Sequence, residues 1–222
     1  MKVSEAVVTR RSVRAFADRP VDPALLRKLL TLAARSPSGG NTQPWNIHVV
    51  TDEALTRLKT VMADAITQAP RGEGGEYEIY PATLPDVARA RIGAAGEALY
   101  GVLGVERSDR EARREWFARN FRFFDAPVGL FCFVERGAGL PQWADLGMYL
   151  QTLMLLLREE GLDSCAQECW AMYPRTVQAF VGAPDSQMLF AGMAIGWKDE
   201  AHPINRLVTE RAELDEFARF HA

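Results

Sequence analysis

The sequence predicts an α+β protein that forms a single domain. Segments with helical periodicity and short apolar strands follow one another along the chain without the regular alternation of a doubly wound parallel sheet. The chain has 222 residues, of which 48% are hydrophobic and 25% charged, as is usual for one globular domain. Residues 68–115 depart from the regular pattern, so we expect a variable loop and helical excursion there.

Two helices are predicted before the first strand. The first covers Val3–Thr9. The second begins cleanly, because Asp22 is a typical N-cap and Pro23 occupies the first helical position. The residue before Pro37 is biased away from helical conformation, which ends this helix. Its core-facing residues are spaced as on one helical face: Leu25, Leu26, Leu29, Leu30 and Ala33.

A short β-branched strand, Ile47–Val50, is followed by a helix for which Asp52 is the expected cap. The stretch Gln68–Pro85 contains several glycines and prolines and is predicted to be a long loop. Long loops in compact domains are often functional or mobile. Helical periodicity returns at Val87–Leu103, and a charged stretch, Glu106–Glu115, follows.

The second half of the chain begins with a near-continuously apolar strand, Pro127–Val134. Asp145–Glu160 is the strongest predicted helix, and Gly161 is its expected C-terminal cap. Leu162–Ala166 and Met188–Gly196 are predicted strands, with a short helix after Pro174 between them. In the tail, residues 211–222, the apolar side chains of Leu214, Phe217 and Phe220 recur every three residues and suggest an arm that packs on another surface.

The helix Asp145–Glu160 leaves little polar face, so it must be buried from nearly every side. Two interpretations are open. The helix forms the core of a dimer, or it is the central core helix of one subunit.

Composition and charge exclude several classes of protein. A net charge of -3 offers no surplus of positive charge for binding nucleic acid. The longest apolar stretch, Leu146–Leu157, is too short to cross a bilayer. The first residues lack the apolar core of a signal peptide, so a cytoplasmic location is expected. Three cysteines without a nearby histidine indicate buried thiols and no metal site: Cys132, Cys165 and Cys169.

Three arginines and a serine lie within five residues near the N-terminus: Arg10, Arg11, Ser12 and Arg14. A guanidinium group is a planar, permanently charged fork that suits phosphate oxygens. If this segment is helical, Arg10 and Arg14 share a face. Taken alone, the motif is more often an ordinary solvated basic surface.

The loop Ser38–Gln43 is rich in amides, hydroxyls and glycine. Asn41 and Gln43 carry both donors and acceptors, which suits the edge of a heterocycle, and glycine allows close approach of backbone to a flat ring. A plain turn is the alternative. No GxGxxG motif follows a strand, so a Rossmann dinucleotide site is not indicated. No P-loop is present, so a P-loop nucleotide site is not indicated either.

The ordered set of motifs resembles the FMN-dependent nitroreductase family, in particular the subgroup that reduces nitrobenzoates and related nitroaromatic compounds. RRSVRAF at Arg10–Phe16 and SPSGGNTQPW at Ser36–Trp45 are similar to the family's opening motifs. GLDSCAQECW at Gly161–Trp170 and AIGWKDEAHPINRLVTER at Ala194–Arg211 are similar to its later ones. The resemblance implies a mostly antiparallel central sheet wrapped by helices, in an intertwined homodimer with two FMN sites at the interface.

The resemblance also implies which residues bind FMN. Arg10 and Ser12 would hold the phosphate, and Arg14 would reach the pyrimidine end of the ring, where positive charge favours the reduced flavin. The resemblance also places Arg11 at the site. In one interpretation, Arg11 pairs with an acidic residue. The resemblance implies further FMN-binding residues of three kinds: loop residues of the other subunit, two residues whose backbone lies near flavin N5, and two arginines of the closing segment. In that order, they are Pro37, Ser38, Asn41 and Gln43, then Gln167 and Glu168, then Arg206 and Arg211. Val208 stands where many relatives carry a further basic residue, which leaves open how Arg206 and Arg211 share the phosphate.

No catalytic side chain is implied, since the flavin carries the redox chemistry. NADH or NADPH is the expected electron donor. Donor and acceptor would use one cleft in turn, giving ping-pong kinetics, with a nitroaromatic compound as the acceptor. Two alternatives remain: a flavin reductase or dehalogenase-like enzyme of the same fold, and a non-catalytic protein that binds or stores flavin.

Overall fold

A four-stranded antiparallel sheet forms the centre of the computed structural model, which describes residues 1–221. Its strands are β1 (Asn46–Thr51), β2 (Val128–Glu135), β3 (Asp163–Gln167) and β4 (Gln187–Gly196), in the spatial order β1-β2-β4-β3. All three neighbouring pairs are antiparallel, which confirms the predicted fold class.

Eight α-helices surround the sheet in residues 1–221. They are α1 (Val3–Thr9), α2 (Pro23–Ala33), α3 (Asp52–Gln68), α4 (Asp86–Val102), α5 (Arg110–Ala118), α6 (Leu140–Glu159), α7 (Pro174–Val181) and α8 (Leu214–Phe217). Short 3-10 turns occur at Gly39–Asn41, Arg119–Asp125, Glu168–Met172 and Pro203–Arg206.

Both faces of the sheet are covered, which explains why the sequence of β2 is apolar almost throughout. Leu130 and Cys132 point into a core shared with α2 and α6. Their neighbours Phe131 and Phe133 point into a second core, built from α3 and the aromatic turn at Arg119–Asp125. Successive side chains of a strand face opposite sides of the sheet, so a strand covered on both faces loses the polar alternation of an exposed one.

Most element boundaries agree with the sequence predictions. Asp22 caps α2 by accepting a hydrogen bond from the Ala24 N–H at 2.9 Å, and Pro23 is the first helical residue. The loop between α3 and α4 has the predicted limits. Gly161 follows α6 with a positive φ of 76°, the conformation expected after a helix C-terminus.

Two predictions of detail were wrong. Thr51, not Asp52, precedes α3 as its N-cap, and Asp52 is the first helical residue, with a φ of 50°. The charged stretch, for which no conformation was predicted, leads into helix α5, which has no buried residue. Helix α6 begins at Leu140, so Asp145 lies inside the helix instead of starting it.

Helix α6 contacts the core of its own chain on one side only. Leu146, Leu153 and Leu157 are fully buried among residues of this chain. The opposite side carries residues that are exposed or half-buried, at helical spacing, and all but the polar Gln151 are small or apolar: Ala144, Gly147, Met148, Gln151 and Leu155. No helix of residues 1–221 is long and apolar enough to cross a membrane.

Candidate functional site

The basic motif near the N-terminus is extended, and two neighbouring segments hold its backbone. The Val13 N–H donates to the Ser164 carbonyl of β3 at 3.0 Å, and the Arg14 N–H donates to Oδ1 of Asn205 at 3.0 Å. Val13 and Ala15 are buried. In extended backbone, alternate side chains share a face, so Ser12 and Arg14 both point away from the core. The helical arrangement considered for this motif is therefore wrong.

These residues line a cavity of about 470 Å³. The cavity brings together the N-terminal motif and the closing segment of the chain, which are separated by almost the whole sequence. Its walls consist of α1 residues, the motif and the closing segment: Val7, Val8, Arg10, Arg11, Ser12, Arg14, Leu207, Val208, Thr209 and Arg211.

Four guanidinium groups face this cavity, and none forms an ion pair with a carboxylate of residues 1–221. Burial lowers the pKa of Arg10, and the nearby charges of Arg211 and Arg11 lower it further. Like charges that converge in a partly buried cavity are unfavourable unless an anion joins them. The cavity thus has the electrostatics of an anion site in a chain whose net charge is negative.

The arginines differ in how they are held. Arg14 donates to the Ser12 carbonyl at 3.3 Å, and Arg10 lies 4.0 Å from the Met154 sulfur of α6. Arg11 is directed towards α1, because its guanidinium donates to the Val8 carbonyl at 2.7 Å. Arg211 donates to Oγ1 of Thr209 at 2.7 Å. Arg206 is exposed and does not line the cavity, so the two arginines of the closing segment are not equivalent.

The polar loop after α2 is a constrained turn outside this cavity. Asn41 and Gln43 have positive φ values of 58° and 48°, which non-glycine residues adopt rarely. The Gln43 N–H donates to Oγ of Ser38 at 3.0 Å. Pro37, Asn41 and Gln43 are exposed and Ser38 is half-buried, and none of the four lines the cavity of the same chain.

Asp145 connects this loop to α6. Its side chain is only 3% exposed, and both carboxylate oxygens accept from the Gly39 N–H, at 3.3 and 3.2 Å. Nearby, the Ser36 hydroxyl donates to Oγ1 of Thr152 at 2.8 Å. The loop is therefore fixed to the same helix that carries the exposed apolar side described above.

Gln167 and Glu168, at the end of β3, point in different directions. The Gln167 side chain is buried, donates to the Asn120 carbonyl at 2.8 Å and accepts from Nε1 of Trp170 at 3.3 Å. Its amide is fully engaged within the chain, which leaves only its backbone for a ligand. Glu168 is exposed and begins the 3-10 turn that follows.

A second cavity, of about 360 Å³, lies between this turn and the loop after α3. Ala171 and Met172 form one wall, and the loop forms the other: Arg71, Gly74, Gly75, Tyr77, Glu78, Ile79 and Tyr80. The Tyr80 hydroxyl lies beside Glu168, and its pKa is raised by burial and by that carboxylate. The loop after α3, for which no contacts were predicted from the sequence, therefore forms one wall of a cavity next to Glu168.

Two residues that position the site were not identified from the sequence. Asn205 holds the motif, since its amide donates to the Ala15 carbonyl at 2.8 Å and to the Asp199 carbonyl at 2.9 Å while accepting from Arg14. Asp145 was predicted only as the first residue of its helix. Both act on residues more than 100 positions away, so no local pattern reveals them.

Comparison with known proteins agrees with this geometry. The profile of the nitroreductase family matches residues 7–197. A nitrobenzene nitroreductase of Ectopseudomonas oleovorans is 37% identical over 98% of this chain and 96% of its own. The crystal structure of the FMN and NADPH-dependent nitroreductase NfnB from Sphigopyxis sp. strain HMH is 50% identical, covers 100% of both chains and has a TM-score of 0.97.

A third relative extends the comparison to a structure determined with a nicotinamide cofactor. The FMN-dependent nitroreductase NfnB from Mycobacterium smegmatis, solved in complex with NADPH, is 30% identical, with a TM-score of 0.93 over 99% of this chain and 98% of its own. The family profile and these full-length relatives establish that the chain belongs to the nitroreductase family.

Proposed function

We propose that this protein is a cytoplasmic FMN-dependent oxidoreductase that uses NADH or NADPH to reduce nitroaromatic compounds. The observation that supports it most strongly is the cavity in which four guanidinium groups converge without a carboxylate from residues 1–221. Such a cavity fits the phosphate of a mononucleotide, because guanidinium groups bind phosphate oxygens through paired, charge-assisted hydrogen bonds. Relatives of this chain include nitrobenzene and nitrobenzoate reductases and an FMN and NADPH-dependent nitroreductase.

In this proposal, the phosphate is held by Arg10, Ser12 and Arg211. Ser12 supplies a hydroxyl, and the buried position of Arg10 strengthens its interaction with an anion. Arg14 lies at the same cavity and would extend along the ligand to the ring. Arg206 is left out of the phosphate site because it does not reach the cavity.

Bound FMN would supply the two-electron redox chemistry by which a nicotinamide cofactor reduces a nitro group. The chain itself binds, orients and shields. The backbone of Gln167 and Glu168 is available at the edge of the sheet, and the cavity beside Tyr80 has a mixed lining whose aromatic residues, Tyr77 and Tyr80, suit an aromatic acceptor. Donor and acceptor would occupy this space in turn, so the proposed kinetics are ping-pong.

The proposed protein is a homodimer with each flavin shared between subunits. Ser38, Asn41 and Gln43 project outwards and do not line the cavity of their own chain, although their loop is firmly fixed. The loop lies next to the exposed side of α6, which has the small and apolar residues of a close helix contact. A second copy packed against this side would bring its loop towards the cavity of the first.

An anaerobic titration tests this function. FMN-reconstituted protein mixed with NADPH should lose its yellow colour and regain it on addition of nitrobenzene. A flavin storage protein would react slowly or not at all with NADPH. A flavin reductase or dehalogenase-like enzyme would lose colour with NADPH but recover it with free flavin or a halogenated aromatic compound, and not with nitrobenzene. Either result would overturn the proposal.

A further inference from the structure

One wall of the second cavity is formed by a loop that Glu73 joins to the turn after Glu168 and to helix α7. We propose that Glu73 is a positioning residue, which fixes the loop at residues 69–77 against the turn after Glu168 and so keeps the cavity formed. The proposal rests on the function proposed above, in which this cavity receives the aromatic acceptor.

Glu73 caps helix α7, although it lies 101 residues before the helix begins. Its Oε2 accepts from the N–H groups of Arg175 and Thr176, at 3.1 Å each, and its Oε1 accepts from the Thr176 hydroxyl. Tyr173 stands at the N-cap position but makes no side-chain capping bond. A carboxylate at this end of a helix satisfies free N–H groups and interacts favourably with the helix dipole.

The backbone of the loop is joined to the same region. The Glu73 N–H donates to the Met172 carbonyl at 2.7 Å, and Arg175 donates from its guanidinium to the Glu73 carbonyl at 2.6 Å. Gly72 approaches so closely that a Cβ there would lie 2.7 Å from the Met172 carbonyl oxygen, and its φ is 90°. The Tyr173 hydroxyl completes the set by donating to the Ala69 carbonyl at 2.8 Å.

These contacts lie directly behind the cavity. Gly74, Gly75 and Tyr77 of the loop face Ala171 and Met172 of the turn across it. Tyr77 is fixed separately, since its hydroxyl donates to the Phe190 carbonyl and its ring meets Trp143 edge-on with centroids 4.8 Å apart. Glu76 forms an ion pair with Arg136 at 2.7 Å, and the Glu73 carboxylate holds the loop onto α7. Without the Glu73 carboxylate, the loop keeps its backbone contact to Met172 but loses its attachment to the first turn of α7, which weakens the wall that carries Gly74 and Gly75.

The test compares Glu73→Ala and Glu73→Gln with Glu53→Ala. Glu53 has a side chain 97% exposed and only an ion pair with Arg57 at 3.9 Å, so its replacement is a matched control. We expect Glu73→Ala to raise the KM for nitrobenzene roughly tenfold, as loss of a charged hydrogen bond implies, with kcat changed much less and the Kd for FMN unchanged. Glu73→Gln should recover part of the KM, because it keeps one acceptor.

Limited trypsin digestion provides a readout independent of activity, because Arg71 lies in the same loop. Cleavage after Arg71 in the folded protein should become roughly tenfold faster in Glu73→Ala and stay unchanged in Glu53→Ala. A variant that has only a lower Tm, with unaltered KM and cleavage, would show that Glu73 merely caps α7 and would overturn the proposal. If the wild type does not reduce nitrobenzene, the proposed function fails, whereas the cleavage rates still decide whether Glu73 holds the loop.

Discussion

At the scale of single residues, the site depends on side chains that are close in space for different reasons. Arg10 and Arg14 are local neighbours in the sequence, whereas Arg211 reaches the same cavity only through the fold. Taken alone, the motif was more often an ordinary basic surface, and the family resemblance assigned it to FMN; the structure brings Arg10, Arg14 and Arg211 to one cavity. The motif could not predict that Arg206 stays outside the cavity, because the 3-10 turn Pro203–Arg206 sets the position of this residue.

Replacing Arg10 should weaken FMN binding strongly. A hydrogen bond to a charged group contributes about 1.5–3 kcal/mol, so Arg10→Ala should raise the Kd roughly 10- to 150-fold. Arg206→Ala is the matched control, since it removes the same charge from an exposed position outside the cavity. Fluorescence titration of the flavin-free proteins measures both. Equal losses in the two variants would mean that only overall charge matters.

Arg14 should affect the redox potential as well as affinity. Loss of a positive charge near the ring disfavours the reduced, more negative state, so Arg14→Ala should lower the flavin midpoint potential. Arg14→Lys should restore part of the potential while lacking the forked contact. Spectroelectrochemical titration of the three reconstituted proteins checks this. An unchanged potential in Arg14→Ala would remove Arg14 from the vicinity of the ring.

At the scale of elements, the sequence predicted the regular segments well and their ends less well. Helix α2 was recognised because its apolar side chains repeat the helical period, and strand β2 because it is a near-continuously apolar run. Helix α5 has no buried residue and lies in a charged stretch for which no conformation was predicted. Asp145 was predicted only as the first residue of its helix, whereas its carboxylate accepts from the Gly39 N–H of a distant loop. Contacts of that kind depend on tertiary structure and leave no trace in local sequence.

A close contact between β4 and the turn after β3 supports the edge of the site. A Cβ added at Gly192 would lie 2.2 Å from Cδ1 of Trp170. Gly192→Ala should therefore reduce the free energy of unfolding by about 1–3 kcal/mol, the usual cost of overpacking a core. Gly101→Ala in α4 meets no atom within 4 Å and should be neutral or stabilising by up to about 1 kcal/mol. Urea denaturation distinguishes them, and equal stability of the two variants would refute the packing argument.

At the scale of the whole molecule, the interpretation of α6 as a core helix of one subunit holds for one side of the helix, and the dimer contact stays a prediction for the other side. One side of the helix is the core of its own chain, where Leu153 is 0% exposed. A charge at Leu153 would unfold the subunit whether or not a dimer exists, so that residue does not probe assembly. The other side is uncovered, as are apolar residues of α1 and of the tail up to residue 221: Val3, Val7, Val8, Leu214, Phe217 and Phe220. The predicted tail also includes Ala222, which lies outside the described residues.

Met148 is therefore the better probe of the proposed dimer. Met148 and Val61 are each 38% exposed, the former on the uncovered side of α6 and the latter on α3. Met148→Glu should shift the protein towards monomer and lower its flavin content, because a charge buried in an interface is unfavourable. Val61→Glu should leave both properties unchanged. Sedimentation velocity measures the association, and a wild-type monomer with tightly bound FMN would contradict a shared site.

The proposed function depends most on the arginine-lined cavity being the phosphate site of FMN. The most direct measurement is an equilibrium titration of the flavin-free protein with FMN, riboflavin and FAD at low and high salt. FMN should bind at least about 100-fold more tightly than riboflavin, which lacks the phosphate and its charged hydrogen bonds. The advantage should shrink in high salt, and FAD should bind poorly. Equal affinities for FMN and riboflavin would show that Arg10, Ser12 and Arg211 do not bind the phosphate and would contradict the proposed function.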